Sequence, residues 1–223
     1  LEKMAVTLMQ KSQFANSSVV VSLEGTLSEA VEGWPQLASF KGRLICLNKP
    51  AKFNMNTVSK LTEVIKQFNI DVIHSHHIGP MLYASMACLR NRHVKHVSTI
   101  HDAWYLKSFK QRLITKVLNK LTKIRWVADA QVVANDFYNE TAIQTDKTIL
   151  NGIDFNKFVC GDESNARKEL HLPQDINLIG CSARLEPGKG HFALLRILNS
   201  LPIYTELVFA GSGSLHTELV NYA

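Results

Sequence analysis

The sequence predicts an α/β protein with two parallel-sheet domains, the second of them incomplete. Three observations lead to this. Short apolar runs rich in β-branched residues, such as 19–23 and 96–100, alternate with segments whose apolar residues recur every three or four positions, such as Val58, Leu61, Ile65 and Phe68. Strand and helix taking turns is the mark of βαβ units on a mostly parallel sheet. Apolar residues make up 46% of the 223 and charged residues 20%, enough to bury a core and too apolar for a disordered chain.

The elements follow in order. Leu1, Met4, Ala5, Leu8 and Met9 repeat at helical spacing, so the chain opens inside an amphipathic helix, with no basic stretch leading into a long apolar one as a secretory signal would have. Strands are expected at 19–23 and 43–47, closed by Gly25 and by Asn48-Lys49-Pro50. A helix at 58–68 precedes a strand at 71–75, a helix at 79–89 and a strand at 96–100. A long helix covers 106–124, followed by a strand at 130–134, a short helix at 137–143 and a strand at 148–150 with Asn151-Gly152 as its turn. The small, polar and charged stretch 158–165 is the linker, which sets domains of 1–165 and 166–223. Beyond it come a short helix at 167–170, strands at 178–183 and 206–210, a helix at 191–200 and the start of another at Leu215. Two strands and so little helix cannot cover both faces of a sheet, so the second domain reads as incomplete and both ends as cut. The longest apolar stretches, 18–23 and 129–134, are far too short to span a bilayer. Cysteines 46, 88, 160 and 181 have no metal-ligand spacing and read as reduced thiols.

Chemistry concentrates where strands end. Arg184-Leu185-Glu186-Pro187-Gly188-Lys189-Gly190 joins the 178–183 strand to a helix starting at His191. Open α/β sheets keep their ligands at that edge. Arg184 and Lys189 set two cations beside a helix N-terminus that already favours anions, so a diphosphate fits; a solvated basic turn is the plain alternative. Gly211 and Gly213, either side of Ser212, end the next strand and open on the same edge. His74, His76 and His77 close the 71–75 strand, with 74 and 76 on one face and 77 on the other, which does not gather three metal ligands. His76 is the one expected in a pocket. His101-Asp102 follows the 96–100 strand, where an imidazole can donate to a sugar hydroxyl or a phosphate. Adjacent side chains in an extended chain face apart, so Asp102 is not expected to orient His101.

One segment stands out for charge. Lys107, Lys110, Arg112, Lys116, Lys120, Lys123 and Arg125 occur with no acidic residue between them, seven cations against a formal net charge of +6 for the whole chain. Phe109, Leu113, Val117, Leu121 and Ile124 recur among them at three- and four-residue spacing. Either the apolar stripe packs on the sheet and the lysines are solvated, or the helix meets an anionic membrane surface. Nucleic acid is the weaker reading, without aromatic interleaving or zinc spacing to support it.

Taken in order, DVIHSHH, VSTIHDAWY, VADAQVVAND, ILNGIDFNKF, CSARLEPGKGH and LVFAGSGSL resemble the retaining glycosyltransferases of family 4, which have the GT-B fold of two Rossmann-like domains. The resemblance implies an acceptor-side N-terminal domain and a nucleotide-sugar-binding C-terminal one. It implies catalytic roles for His101, Arg184 and Lys189, with Arg184, Lys189 and Gly188 on the donor diphosphate. His76, Asp102, Gly211 and Gly213 would line the acceptor side or the cleft. No metal or other cofactor is implied. The expected reaction moves a sugar from a nucleoside-diphosphate sugar to a glycan or lipid-linked acceptor with retention, as in lipopolysaccharide or polysaccharide biosynthesis. The enzyme would be cytoplasmic and peripheral on the inner face of the membrane, through Lys110, Lys116, Lys120 and Lys123. There are departures: the family opens with a strand and a Gly-rich loop this chain lacks, and its later acidic motif would lie past Ala223. Ser212 stands where an acidic residue is usual. Two alternatives follow, a non-catalytic fragment binding sugar-nucleotides or anionic surfaces, and a GT-B nucleotide-sugar epimerase.

Overall fold

The computed structural model describes residues 2–40, 42–156 and 158–222, so sequence readings on Leu1, Lys157 and Ala223 lie outside the described residues. The chain divides into two compact units, one up to Gly152 and one from Ile153.

The first unit alternates helix and strand. Helix α1 (Glu2–Lys11) leads through a 3-10 turn to β1 (Val20–Ser22), α2 (Leu27–Gly33), a second 3-10 turn and β2 (Leu44–Cys46). Then come α3 (Met55–Gln67), β3 (Val72–His76), α4 (Ile78–Arg90) and β4 (Lys95–Ile100). A 3-10 turn at Trp104–Lys107 precedes α5 (Phe109–Thr122), β5 (Arg125–Ala128), α6 (Gln131–Thr141) and β6 (Lys147–Thr148). Local chemistry starts two of the helices. The Thr26 hydroxyl accepts from the Glu29 N–H while Glu29 reaches back to the Thr26 N–H, a reciprocal cap on α2. The Asn54 side chain accepts from the N–H groups of Asn56 and Thr57 at the start of α3.

β1 and β2 form a parallel pair, and β3, β4, β5 and β6 form a parallel sheet in that order. The register sets His76 beside Thr99, Ser75 beside Ser98 and Ile100 beside Ala128. One core gathers Val58, Leu61 and Ile65 of α3 against Tyr83, Ala87 and Cys88 of α4. A second gathers Met81, Ile100, Leu106, Leu118, Trp126 and Phe137, with the Trp126 Nε1–H donating to Asn119 Oδ1 at 2.8 Å. Leu106 is fully buried, worth about 1.5–3 kcal/mol relative to leaving such a side chain in water.

The second unit contains α7 (Glu163–Glu169), β7 (Asn177–Ser182), α8 (His191–Leu198), β8 (Thr205–Ala210) and α9 (His216–Tyr222). β7 and β8 pair in parallel over their whole length. Arg167 of α7 donates to the carbonyls of Pro173 and Ile176, fixing the lead-in to β7.

The α/β class with parallel sheets is what the alternation of periods predicts. Local placement differs in three places. The strand expected at 130–134 is β5, Arg125–Ala128, and 131 onward is helical. Pairing with β4 from Val97↔Arg125 to Ile100↔Ala128 fixes the strand there, while Val133 packs on the core from α6 and Val132 is exposed. Helix α2 and the 3-10 turn after it carried no recognised signal. Helix α7 begins at Glu163, inside the segment read as linker, because Asp162 accepts from the Asn165 N–H and starts it.

Candidate functional site

In the first unit the site grows from three parallel strand ends. β3 stops at His76, and His77 turns the chain into α4 with a φ of +73°, a conformation disfavoured for any residue but glycine. His74 and His76 share a face of β3, their ring centroids 4.3 Å apart. His74 Nε2 lies 2.7 Å from the Thr99 hydroxyl on β4. His101 follows the end of β4, and its Nε2 is 3.1 Å from His76 Nδ1. Asp129 follows the end of β5, with its Oδ2 2.9 Å from His101 Nδ1, and Asn151 Nδ2 donates to the same oxygen at 3.2 Å. The side chains of His101 and Asp129 are only 10% and 13% exposed, so water does little to loosen the pair.

These distances define one consistent proton arrangement for neutral rings. His101 donates Nδ1–H to Asp129, and its Nε2 accepts the Nδ1–H of His76. Burial, then the neighbouring His74 and His101, pull the His76 pKa down to about 4, so that ring is neutral at pH 7. His74 is lowered as well, by burial and by His101. In this arrangement both nitrogens of His101 are engaged, one by Asp129 and one by His76.

The other face of β3 carries a sealed polar cluster. His96 is 1% exposed, its Nε2 lies 2.8 Å from the Ser75 hydroxyl and its Nδ1 3.3 Å from that of Ser85. Burial, helped by His74, lowers its pKa to about 4.

In the second unit the loops after β7 and β8 are fastened together. Leu185 N–H donates to Ser212 O at 2.8 Å, and Leu215 N–H to Leu185 O at 2.9 Å. The Glu186 carboxylate accepts from the N–H and hydroxyl of Ser214 at 3.0 and 2.7 Å. Those bonds, the hydroxyl's first, and the charge of Arg184 hold the Glu186 pKa below the usual carboxylate value. A Cβ on Gly211 would run into the Ala183 carbonyl, and one on Gly213 into that of Leu185, so both positions need glycine for the loops to approach. Gly188 and Gly190 have φ of +84° and +83°, and Gly190 is the residue before α8. Arg184 and Lys189 are exposed beside the start of α8 and ion-pair with nothing among the described residues. His191 opens α8 fully buried, edge-on to Phe209, with neither ring nitrogen hydrogen-bonded.

The structure thus brings His76 and His101 into contact, and gathers Arg184, Gly188 and Lys189 in one loop beside Gly211 and Gly213. Asp102 stands apart from His101, with its Oδ2 3.9 Å from His77 Nε2 and its Oδ1 buried without a partner. The residues that sequence reasoning missed are Asp129 and Asn151. Asp129 carried the same signal as His101, a polar residue just past a strand, and was hidden by placing that strand at 130–134. The basic segment also differs from one expectation. Phe109, Leu113, Val117 and Leu121 do not pack on the sheet but are exposed, whereas Thr115 and Leu118 are buried; of the expected stripe, Ile124 alone is in the core. Among the described residues no helix is long and apolar enough to cross a membrane.

A search of curated protein sequences found no match. One matching solved structure is described as an S. aureus MnaA-UDP co-structure, at 15% identity and a TM-score of 0.46 over 92% of this chain. The present chain covers 65% of that chain's length. The profile of Glycosyltransferase Family 4 matches residues 15–156, more than half of the chain and the whole of the His76–His101–Asp129 row. By that match the chain belongs to glycosyltransferase family 4.

Proposed function

We propose that the protein moves a sugar from a nucleoside-diphosphate sugar to a hydroxyl of a glycan or lipid-linked acceptor, with retention at the anomeric carbon. The observation that carries this reading is the family match across residues 15–156, which encloses a hydrogen-bonded row of imidazoles at the C-terminal edge of a parallel sheet. In the reaction the bond from the anomeric carbon to the diphosphate breaks and negative charge builds on the departing oxygens. Arg184 and Lys189, with the backbone around Gly188 and the first turn of α8, would take up that charge; stabilisers of this kind are typically worth about 10²–10³ in kcat. His101 would lie against the transferred sugar, with Asp129 holding its ring. His76, Asp102, Gly211 and Gly213 would line the acceptor side or the cleft.

The test is calorimetric titration with UDP, GDP, ADP and dTDP, followed by NMR of the product's anomeric proton once a donor is found. One nucleotide should bind, Lys189→Ala should weaken it at least about 10-fold without unfolding the protein, and the product should keep the donor's anomeric configuration. Binding of no nucleoside diphosphate would overturn the donor assignment. An inverted product would overturn retention.

A further inference from the structure

Helix α6 turns a polar face to the edge of the first unit's sheet. Gln131, Ala134, Asn135 and Tyr138 stand three and four residues apart, so they share one side of the helix. Across from them run the turn out of α6 and the edge strand β6, from Gln144 to Thr148. Between the two lies a groove of about 450 Å³, within the size range of small-molecule sites, about 300–1,000 Å³. Both walls are fixed. On the helix side, Ala142 ends α6 at a φ of +58° and donates its N–H to the Tyr138 carbonyl at 2.7 Å. On the strand side, the Asp146 N–H donates to the Trp126 carbonyl at 2.8 Å. The Asp146 carboxylate accepts from the Trp126 N–H at 2.8 Å and from Arg125 at 2.6 Å. The small side chain of Ala134 leaves room between the walls.

The chemistry of this groove is that of unmet hydrogen bonds. Gln131 Nε2 donates to Asn135 Oδ1 at 3.0 Å, which leaves the Gln131 carbonyl oxygen and the Asn135 NH₂ group to a ligand. The side chains of Tyr138, Gln144, Thr145 and Thr148 have no hydrogen-bond partner among the described residues. Tyr138 is 53% exposed and brings an aromatic ring with a hydroxyl at its tip. No aliphatic side chain larger than alanine lines the groove. Of the lining residues only Asp146 and Lys147 are charged, and Asp146 is tied to Arg125.

We infer that the α6–β6 groove binds the body of an uncharged oligosaccharide. Sugar hydroxyls donate and accept at once, and amides beside hydroxyls answer them in both senses. A ring such as Tyr138, apolar in its body and polar at its tip, suits the C–H face of a pyranose with its hydroxyls around it. A lipid chain would find no apolar wall there, and a polyanion would find one lysine beside a carboxylate. A peptide adding to the β6 edge would have only Lys147 and Thr148 to pair with. The position also suits the site. Gln131 is two residues beyond Asp129, and Thr148 pairs with Ala128, the residue before Asp129. One end of the groove therefore reaches the strand edge where Asp129 holds His101. Resting on the transfer reading of that edge, the sugar chain is the acceptor, held along α6 with its terminal hydroxyl toward His101. Saccharide binding itself is read without turnover.

The experiment is saturation-transfer difference NMR of the full chain with maltotriose, cellotriose, mannotriose and tri-N-acetylchitotriose, each at millimolar concentration, followed by titration of the best binder. At least one of these should receive saturation, and bind more tightly than its own monosaccharide. Asn135→Trp, which fills the groove from an exposed position, should abolish the transfer. Tyr138→Ala should weaken binding at least about 10-fold. Lys66→Ala on α3 should leave it unchanged, and thermal melts should be alike for all. Saturation of none of the trisaccharides would overturn the proposal. So would binding that survives Asn135→Trp, or a monosaccharide bound as tightly as the trisaccharide. A trisaccharide that binds while no nucleoside diphosphate does would keep the groove and remove the transfer reading. The reverse result would remove the groove alone.

Discussion

His101 Nδ1 and Asp129 Oδ2 are 2.9 Å apart, on residues that follow the ends of neighbouring parallel strands. The acid that orients the histidine comes from the next βα unit and not from Asp102 beside it. Both groups are mostly shielded, and Asn151 steadies the carboxylate from a third segment. A ring held this way has one tautomer, with Nε2 turned to His76.

Asp129→Asn tests the consequence. The amide can present its NH₂ to the ring and reverse the tautomer, so ¹⁵N NMR should show the His101 proton moving off Nδ1. If transfer depends on that ring, turnover should drop roughly 100-fold with the fold intact. An unchanged tautomer would show that Asp129 does not hold it.

Acid should loosen the first unit through His96. The folded ring titrates near 4, whereas an ordinary imidazole titrates near 6.5. Between those values the unfolded chain binds a proton that the folded one refuses, so stability is full above about 6.5 and falls as pH drops toward 4. The loss from His96 alone should reach about 2 kcal/mol at pH 5. Urea midpoints at pH 7 and pH 5 measure it, and a flat profile would mean the ring protonates without leaving its serine partners.

Ser214→Ala should raise the Glu186 carboxyl toward its ordinary value, because the Ser214 hydroxyl is the largest influence holding it down. Carboxyl ¹³C shifts followed against pH report this directly. Limited proteolysis should then cut the 183–190 loop faster, since one of its ties to the next loop is gone.

Gly211→Ala should destabilise the second unit by about 1–3 kcal/mol, as overpacking against rigid backbone does. The Ala183 carbonyl cannot move without breaking the β7–β8 pairing around it. Thermal unfolding of the variant checks this, and wild-type stability would mean that the loops part readily.

Much of this was legible in the residues. Alternating periods give the parallel sheets, and the run from Leu178 through Lys189 into His191 gives strand, turn and helix where the structure has β7, the cation loop and α8. His76 stands out in the sequence as a histidine at a strand end, expected in a pocket; the structure sets its ring against His101. Two things were not legible. Four-residue spacing says that Phe109, Leu113, Val117 and Leu121 share a face, but which face meets the sheet is decided by the space between α4 and α6, which Thr115 and Leu118 fill. The β-branched Val132 and Val133 read as strand, yet hydrogen bonding to β4 ends the strand at Ala128, and the displaced reading hid Asp129.

The close passage of Gly211 and Gly213 against two main-chain carbonyls has a bearing on how this pair of loops can diversify. At these two positions any side chain collides with backbone, so neither can take another residue without parting the loops. Ser212 takes part through its carbonyl alone, accepting from Leu185, and its exposed side chain is free to change. The edge thus holds two fixed points with one adjustable position between them, so substitution on this strand end is open at residue 212 and closed at 211 and 213.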